Sequence, residues 1–170
     1  ERVLLAYYVA CINIEAVYED LVKENQYQPF NGMVLTDTFQ LYEQERDMIA
    51  DLLPDNSQRR TEQKKRDITV VIGNPPYSAG QTSENDNASN TEYVNLDKSI
   101  SLTYVAHSNS TRSVGLYDSY VRAIKWAIER TNKNGCIGFV CGSAWLDRNF
   151  ADGMRKCLYE ELKDIYILNL

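Results

Sequence analysis

Positive charge is the minority charge in this sequence. Eighteen Lys and Arg face 24 Asp and Glu, a formal net charge of −6 over 170 residues, the wrong sign for a domain that holds nucleic acid by broad electrostatics. Histidine is nearly missing. His107 stands alone, and the four cysteines, Cys11, Cys136, Cys141 and Cys157, form no CxxC pair, so no familiar zinc site can be assembled. Cys136 and Cys141 lie in an apolar run and are expected to be small buried hydrophobes, in keeping with a reducing compartment. With only 8 Gly and 4 Pro, collagenous and low-complexity architectures are excluded. The longest mostly apolar stretch, Val3 to Ile14, is too short for the roughly twenty residues that span a bilayer, so no membrane is expected as a partner. No signal-peptide pattern follows Glu1, and the sequence reads as an internal piece of a longer intracellular protein. GxGxxG and GxxxxGK are both absent, which removes the usual glycine-rich phosphate loops. What remains is an ordinary globular composition, 44% hydrophobic, with a length that suits about one domain.

Strands and helices alternate along the chain. Leu4, Tyr8, Cys11, Ile12, Ala16 and Val17 recur at helical spacing and predict a helix over 2–24. Residues 25–32 read as a loop, and Met33 to Thr36 as a short strand ending at Asp37. Residues 40–66 have weak helical spacing interrupted at Pro54, and the basic cluster Arg59, Arg60, Lys64, Lys65, Arg66 reads as a solvated helix face rather than a DNA patch. DITVVIG, residues 67–73, is a β-branched run expected in a strand buried on both faces of a parallel sheet. Residues 78–95 are polar and aperiodic, a long loop, and with the helix-compatible stretch near 96–106 they make a polar insertion over 78–115. A helix is predicted over Leu116 to Asn132, stopped by Asn134 and Gly135, then a buried strand over Cys136 to Cys141. Phe150 to Leu162 is predicted helical, capped by Asp147 or Asn149, and Asp164 to Leu170 is predicted as a third strand. This alternation indicates an α/β fold with a mainly parallel sheet flanked by helices.

The most specific feature is Asn74-Pro75-Pro76-Tyr77 directly after a predicted strand. A polar-Pro-Pro-aromatic tetrapeptide arises by chance in on the order of one chain in a hundred of this size. In open parallel sheets, ligands bind outside the carboxyl ends of strands, which is where it falls. The plain alternative is a turn, because two prolines end any ladder. The chemistry these residues suit is methylation of an exocyclic amine, whose planar nitrogen is a poor nucleophile because its lone pair is delocalised into the ring. Two acceptors aimed at its two hydrogens favour the tetrahedral, positively charged form. The Asn74 side chain offers one, and the Pro75 carbonyl offers the other, held rigidly by the ring of proline with no N–H beside it. Tyr77 offers an aromatic face for stacking a displaced base, worth about 1–3 kcal/mol. Catalysis of this kind rests on positioning and oriented dipoles, with no titrating group required.

In this setting the tetrapeptide resembles the catalytic motif of S-adenosylmethionine-dependent amino-group methyltransferases, above all the DNA adenine-N6 enzymes. VVIGNPPYSAGQ, the loop with SENDNASN, LYDSYVRAIKWA, GCIGFVCGSAWLD and FADGMRKCLYEEL together resemble the methyltransferase region of bacterial type ISP restriction-modification proteins. The resemblance covers nearly all 170 residues and implies a Rossmann-like methyltransferase domain over 1–170, in a bacterial cytoplasmic protein acting on double-stranded DNA with an extruded adenine. By the same resemblance, Asn74, Pro75, Pro76 and Tyr77 are catalytic, Glu1 meets the cofactor ribose, and Asp37 meets the cofactor adenine. Glu1 also reads as an acidic helix start and Asp37 as a turn residue. Tyr117 and Asp118 are expected to pack and to cap.

Departures from the family pattern accompany these matches. The DPxxGxG cofactor loop and first strand, the later aromatic that encloses the base, and the target-recognition domain are not in the sequence, so the isolated fragment is expected to be inactive, with DNA held by regions outside it. Methylation of a protein glutamine amide or an RNA guanine amine, and a purely structural fragment, are the competing readings.

Overall fold

The computed structural model describes residues 3–22, 27–43, 53–76 and 93–168. The chain divides into two compact units, Glu1–Arg66 and Asp67–Leu170. Among the described residues no helix is long and apolar enough to cross a membrane.

In the first unit, helix α1 spans Leu4–Val22 and buries none of its residues. The predicted apolar stripe is not the packed one. Leu4, Tyr8, Ile12 and Val17 are exposed, and the half-buried positions are Tyr7, Ala10, Cys11 and Glu15. Polar contacts select that face: the Tyr7 hydroxyl accepts from Arg59 at 3.0 Å, and Glu15 accepts from the Tyr27 hydroxyl at 2.9 Å and the Phe30 N–H at 2.8 Å. Pro54 does not interrupt a helix but is the first residue of α2, Pro54–Lys65, where its missing N–H costs nothing. Lys65 and Arg66 are exposed as expected of a solvated face, whereas Arg59 is half-buried and Lys64 donates to the Glu43 carbonyl at 3.2 Å.

The predicted strand over Met33 to Thr36 is absent. Its backbone is satisfied by a side chain instead. Asn56, 3% exposed, accepts from the Leu35 N–H at 2.8 Å and donates to the Leu35 carbonyl at 3.0 Å, which meets the demand that would otherwise draw in a neighbouring strand.

The second unit holds a two-stranded parallel sheet of β1, Ile68–Gly73, and β2, Thr131–Phe139. Between them run α3 (Val94–Ile100), a π-helical turn (Ser101–Val105), a 3-10 turn (Val114–Tyr117) and α4 (Ser119–Arg130); after them come α5 (Ala144–Asp147), a 3-10 turn (Asn149–Ala151) and α6 (Asp152–Glu161). A crossover of helices is what parallel strands require. The core gathers Ile100, Tyr104, Leu116, Val121, Met154 and Leu158. Arg122 pins the start of α3 to α4: its Nε and Nη2 donate to Asp97 at 2.7 and 2.8 Å, and its guanidinium lies 5.2 Å from the Tyr93 ring centroid.

Several expectations shift here. Neither strand is covered on both faces: Val71, Ile137 and Phe139 are half-buried, whereas Val70 and Ile72 are 52% and 82% exposed, because the helices of this unit cover one side. Cys136 is exposed and Cys141 half-buried for the same reason. The helix expected to end at Asn134-Gly135 ends at Arg130, and those two residues belong to β2. They shape an irregularity in the pairing between Ile68 and Val70. Asn132 donates to Asp67 and Thr69 at 3.1 and 3.2 Å, and a Cβ on Gly135 would overlap the Thr69 carbonyl oxygen. Asp118 caps α4 as expected, accepting from the Tyr120 N–H at 3.3 Å. Of the third strand predicted over Asp164 to Leu170, residues 164–168 have no strand partner among the described residues and are exposed.

Neither Asp147 nor Asn149 caps α6, whose N-cap is Ala151. The first helical residue does the work. Asp152 accepts from the Ser108 hydroxyl, from the Asn109 N–H at 2.8 Å and from the Gly153 N–H at 2.8 Å. The Ser108 bond first, then the Asn109 N–H, pull its pKa from 3.8 down to about 2. A carboxylate whose folded pKa is depressed contributes stability above its unfolded pKa and loses it as pH falls toward the folded value. Asp152→Asn is therefore expected to flatten the fall in melting temperature between about pH 4 and pH 2, as followed by circular dichroism. An acid limb unchanged by the substitution counts against this role.

Candidate active site

Register places the tetrapeptide. Val71, Ile72 and Gly73 pair with Ile137, Gly138 and Phe139, and the Val140 N–H donates to the Gly73 carbonyl at 3.1 Å. That bond is the last rung of the ladder. The chain leaves it at Asn74, because neither Pro75 nor Pro76 has an N–H to continue. Asn74 and Pro76 are exposed and Pro75 is buried. Both strands end on the same side, as parallel strands must, so the chain leaving β2 at Val140 starts out next to the end of β1. Tyr77 and Glu1 lie outside the described residues.

Asp37 belongs to the first unit. Its Oδ1 accepts from the Phe39 N–H at 2.9 Å and its carbonyl accepts from the Leu41 N–H at 3.3 Å, an Asx-type turn of the kind expected of Asp at a chain reversal. The half-buried carboxylate is thereby oriented, and its chemistry, an acceptor held still, fits the exocyclic amine of an adenine. Asp37 is not among the residues lining the 360 Å³ cavity of that unit, which include Leu4, Tyr7, Tyr8, Asn56 and Arg59. Among the described residues no group of three His, Cys, Asp or Glu side chains could hold a metal ion.

Sequence reading missed α5 and the contacts that hold it. Arg155 of α6 donates through Nη1 to the Trp145 carbonyl at 2.7 Å and the Arg148 carbonyl at 3.0 Å. No periodicity in the sequence signals a bond from the middle of one helix to the end of another.

Comparison with known proteins agrees with this architecture. The family described as Eco57I restriction-modification methylase matches residues 8–170. Among solved structures, a nuclease-deletion mutant of the type ISP restriction-modification enzyme LlaGI, in complex with a DNA substrate mimic, is 49% identical with a TM-score of 0.88, over 95% of this chain and 13% of that one. The ATP-dependent type ISP enzyme LlaBIII, bound to DNA, is 43% identical with a TM-score of 0.85, over 93% of this chain and 11% of that one. The DrdV–DNA complex is 38% identical with a TM-score of 0.83, over 95% and 15%. No match was found among curated proteins. The chain thus spans a small part of the length of these structures. By a match that runs over nearly its whole length, the chain belongs to the Eco57I restriction-modification methylase family.

Proposed function

We propose that these residues form the catalytic part of a bacterial DNA methyltransferase that transfers a methyl group from S-adenosylmethionine to adenine N6, and that residues 1–170 are one stretch of its methyltransferase domain. The observation that carries this reading is the tetrapeptide at the carboxyl end of β1, where the ladder stops at Gly73 and an exposed Asn74 precedes a buried Pro75. S-adenosylmethionine supplies an electrophilic methyl group. The Asn74 side-chain oxygen and the Pro75 carbonyl accept the two hydrogens of the adenine amine, which weakens its conjugation with the ring and favours the charge that develops on nitrogen. Tyr77 stacks on the extruded base. Asp37 accepts from the cofactor adenine and Glu1 from its ribose. The related structures are of DNA-bound enzymes, which supports duplex DNA as the partner; with a net charge of −6, phosphate contacts come from outside these residues.

The test uses the full-length protein that carries this sequence. Radiolabelled S-adenosylmethionine is expected to crosslink to it, and label is expected on N6 of adenine in duplex DNA. Label on a protein glutamine or an RNA guanine instead would assign the same geometry to a different planar nitrogen. Tyr77 gives a finer test. Tyr77→Ala is expected to lower kcat/KM for duplex by about tenfold, in line with about 1–3 kcal/mol of stacking per base, and Tyr77→Phe by less than threefold, because stacking needs the ring and not the hydroxyl. Equal losses in the two variants remove the platform role.

A further inference from the structure

We infer that Arg155 is a positioning residue for the acceptor base, holding the turn after β2 as the second wall of the space in front of Asn74 and Pro75; this rests on the methyltransferase reading. Gly73 pairs with Phe139 and accepts from the Val140 N–H at 3.1 Å, so the chain emerging from β2 leaves the sheet next to the point where Asn74 begins. Ser143 and Ala144 in that run are exposed, and one turn of helix, Ala144–Asp147, follows. A helix this short has little stability of its own, and its last carbonyls have no partner within the helix. Two contacts hold it. Trp145 packs against the core of the unit, and Arg155 donates to the carbonyls of Trp145 and Arg148 at 2.7 and 3.0 Å.

The planar guanidinium suits this task, because one preorganised group meets two carbonyls at once. Lysine would supply a point charge to one of them. Arg155 is half-buried on α6, whose own position is fixed by Met154, Cys157 and Leu158 in the core. The turn is thereby referred to the rigid part of the unit rather than left to follow the strand end. On this inference the small side chains of Ser143 and Ala144 leave room for a flat ring in front of the Asn74–Pro75 acceptors. A wall that moves by about an ångström misplaces the amine relative to those acceptors, and misplacements of that size cost up to about a hundredfold in rate.

The experiment compares Arg155→Ala, Arg155→Lys and Ser143→Trp in the full-length protein with the unsubstituted enzyme and Asn74→Ala. Arg155→Ala and Ser143→Trp are expected to lower kcat/KM for adenine-containing duplex by about tenfold to a hundredfold, with KM for S-adenosylmethionine within twofold and with a weakened rise in 2-aminopurine fluorescence at the target position. Arg155→Lys is expected to fall between Arg155→Ala and the parent. A purely structural role for Arg155 moves the cofactor KM and the melting temperature together with the rate, and leaves Ser143→Trp active. If Arg155→Ala does not fold, the exposed Ser143→Trp decides alone. Parent-like kcat/KM in Ser143→Trp, while Asn74→Ala is inactive, overturns the inference and leaves the methyltransferase reading standing; no adenine methylation by the unsubstituted protein removes both.

Discussion

Asn74→Ala is expected to reduce adenine methylation by the full-length protein by two to three orders of magnitude while leaving crosslinking to S-adenosylmethionine unchanged. The size follows from the chemistry. Removing one preorganised hydrogen-bonding group aimed at developing charge typically costs about 10²–10³ in kcat, and Asn74 is one of only two such groups in the proposed geometry. Asn74 is exposed just after the end of β1, so the substitution removes no core packing and stability is expected to stay within about 0.5 kcal/mol. Asn74→Asp separates hydrogen bonding from charge. It keeps an acceptor but replaces the neutral amide with a carboxylate, and partial activity there, with none in Asn74→Ala, assigns the effect to the acceptor oxygen. Full activity in Asn74→Ala would falsify the catalytic role and reduce the tetrapeptide to a strand-ending turn.

The largest effect on folding is expected at Gly153, in the first turn of α6. A Cβ there would overlap the Tyr104 carbonyl oxygen and stand 2.7 Å from the Ser108 nitrogen and 3.0 Å from the His107 carbonyl carbon. All three are backbone atoms and cannot rotate away. They belong to the π-helical turn Ser101–Val105 and the residues leaving it, where the Ala106 N–H reaches back five residues to the Ser101 carbonyl at 3.1 Å. That wider turn brings the backbone against α6, and only a residue without a side chain admits the contact. Gly153→Ala is expected to cost about 3 kcal/mol, the upper end of overpacking, and to lower the melting temperature by about 6–12 °C for a chain of this size. Gly138→Ala is the control. Nothing lies within 4 Å of a Cβ at Gly138, so it is expected to shift the melting temperature by no more than about 2 °C. Equal shifts for the two glycines dispose of the close-approach explanation.

Much of the second unit was legible from local signals. The helix predicted from Leu116 forms α4 and buries Tyr120, Val121 and Ala127, Asp118 caps it, and β1 and β2 pair in parallel as an alternating β-α-β order demands. Errors concentrate where polar side chains meet partners from other elements. Asn56 completes Leu35 in place of a strand, and Tyr7 and Glu15 turn α1 away from its apolar stripe. Lys125 is the extreme case: a lysine in a helix reads as exposed, yet it is 3% exposed, with Nζ 3.1 Å from Glu129 and 5.2 Å from the Tyr104 ring centroid. Burial, and next the nearby Glu161, push the Tyr104 hydroxyl far above its ordinary pKa.

The sequence by itself determined the β-α-β order around the second unit's sheet and the place of the tetrapeptide after β1, because periodicity, helix caps and proline act over a few neighbouring residues. Only the tertiary structure decided which face of α1 packs, why Gly153 must be glycine, and that Arg155 reaches the Trp145 and Arg148 carbonyls. Those depend on groups from different elements, from 7 to 52 positions apart, meeting at bonding distance, and no local pattern encodes such a meeting.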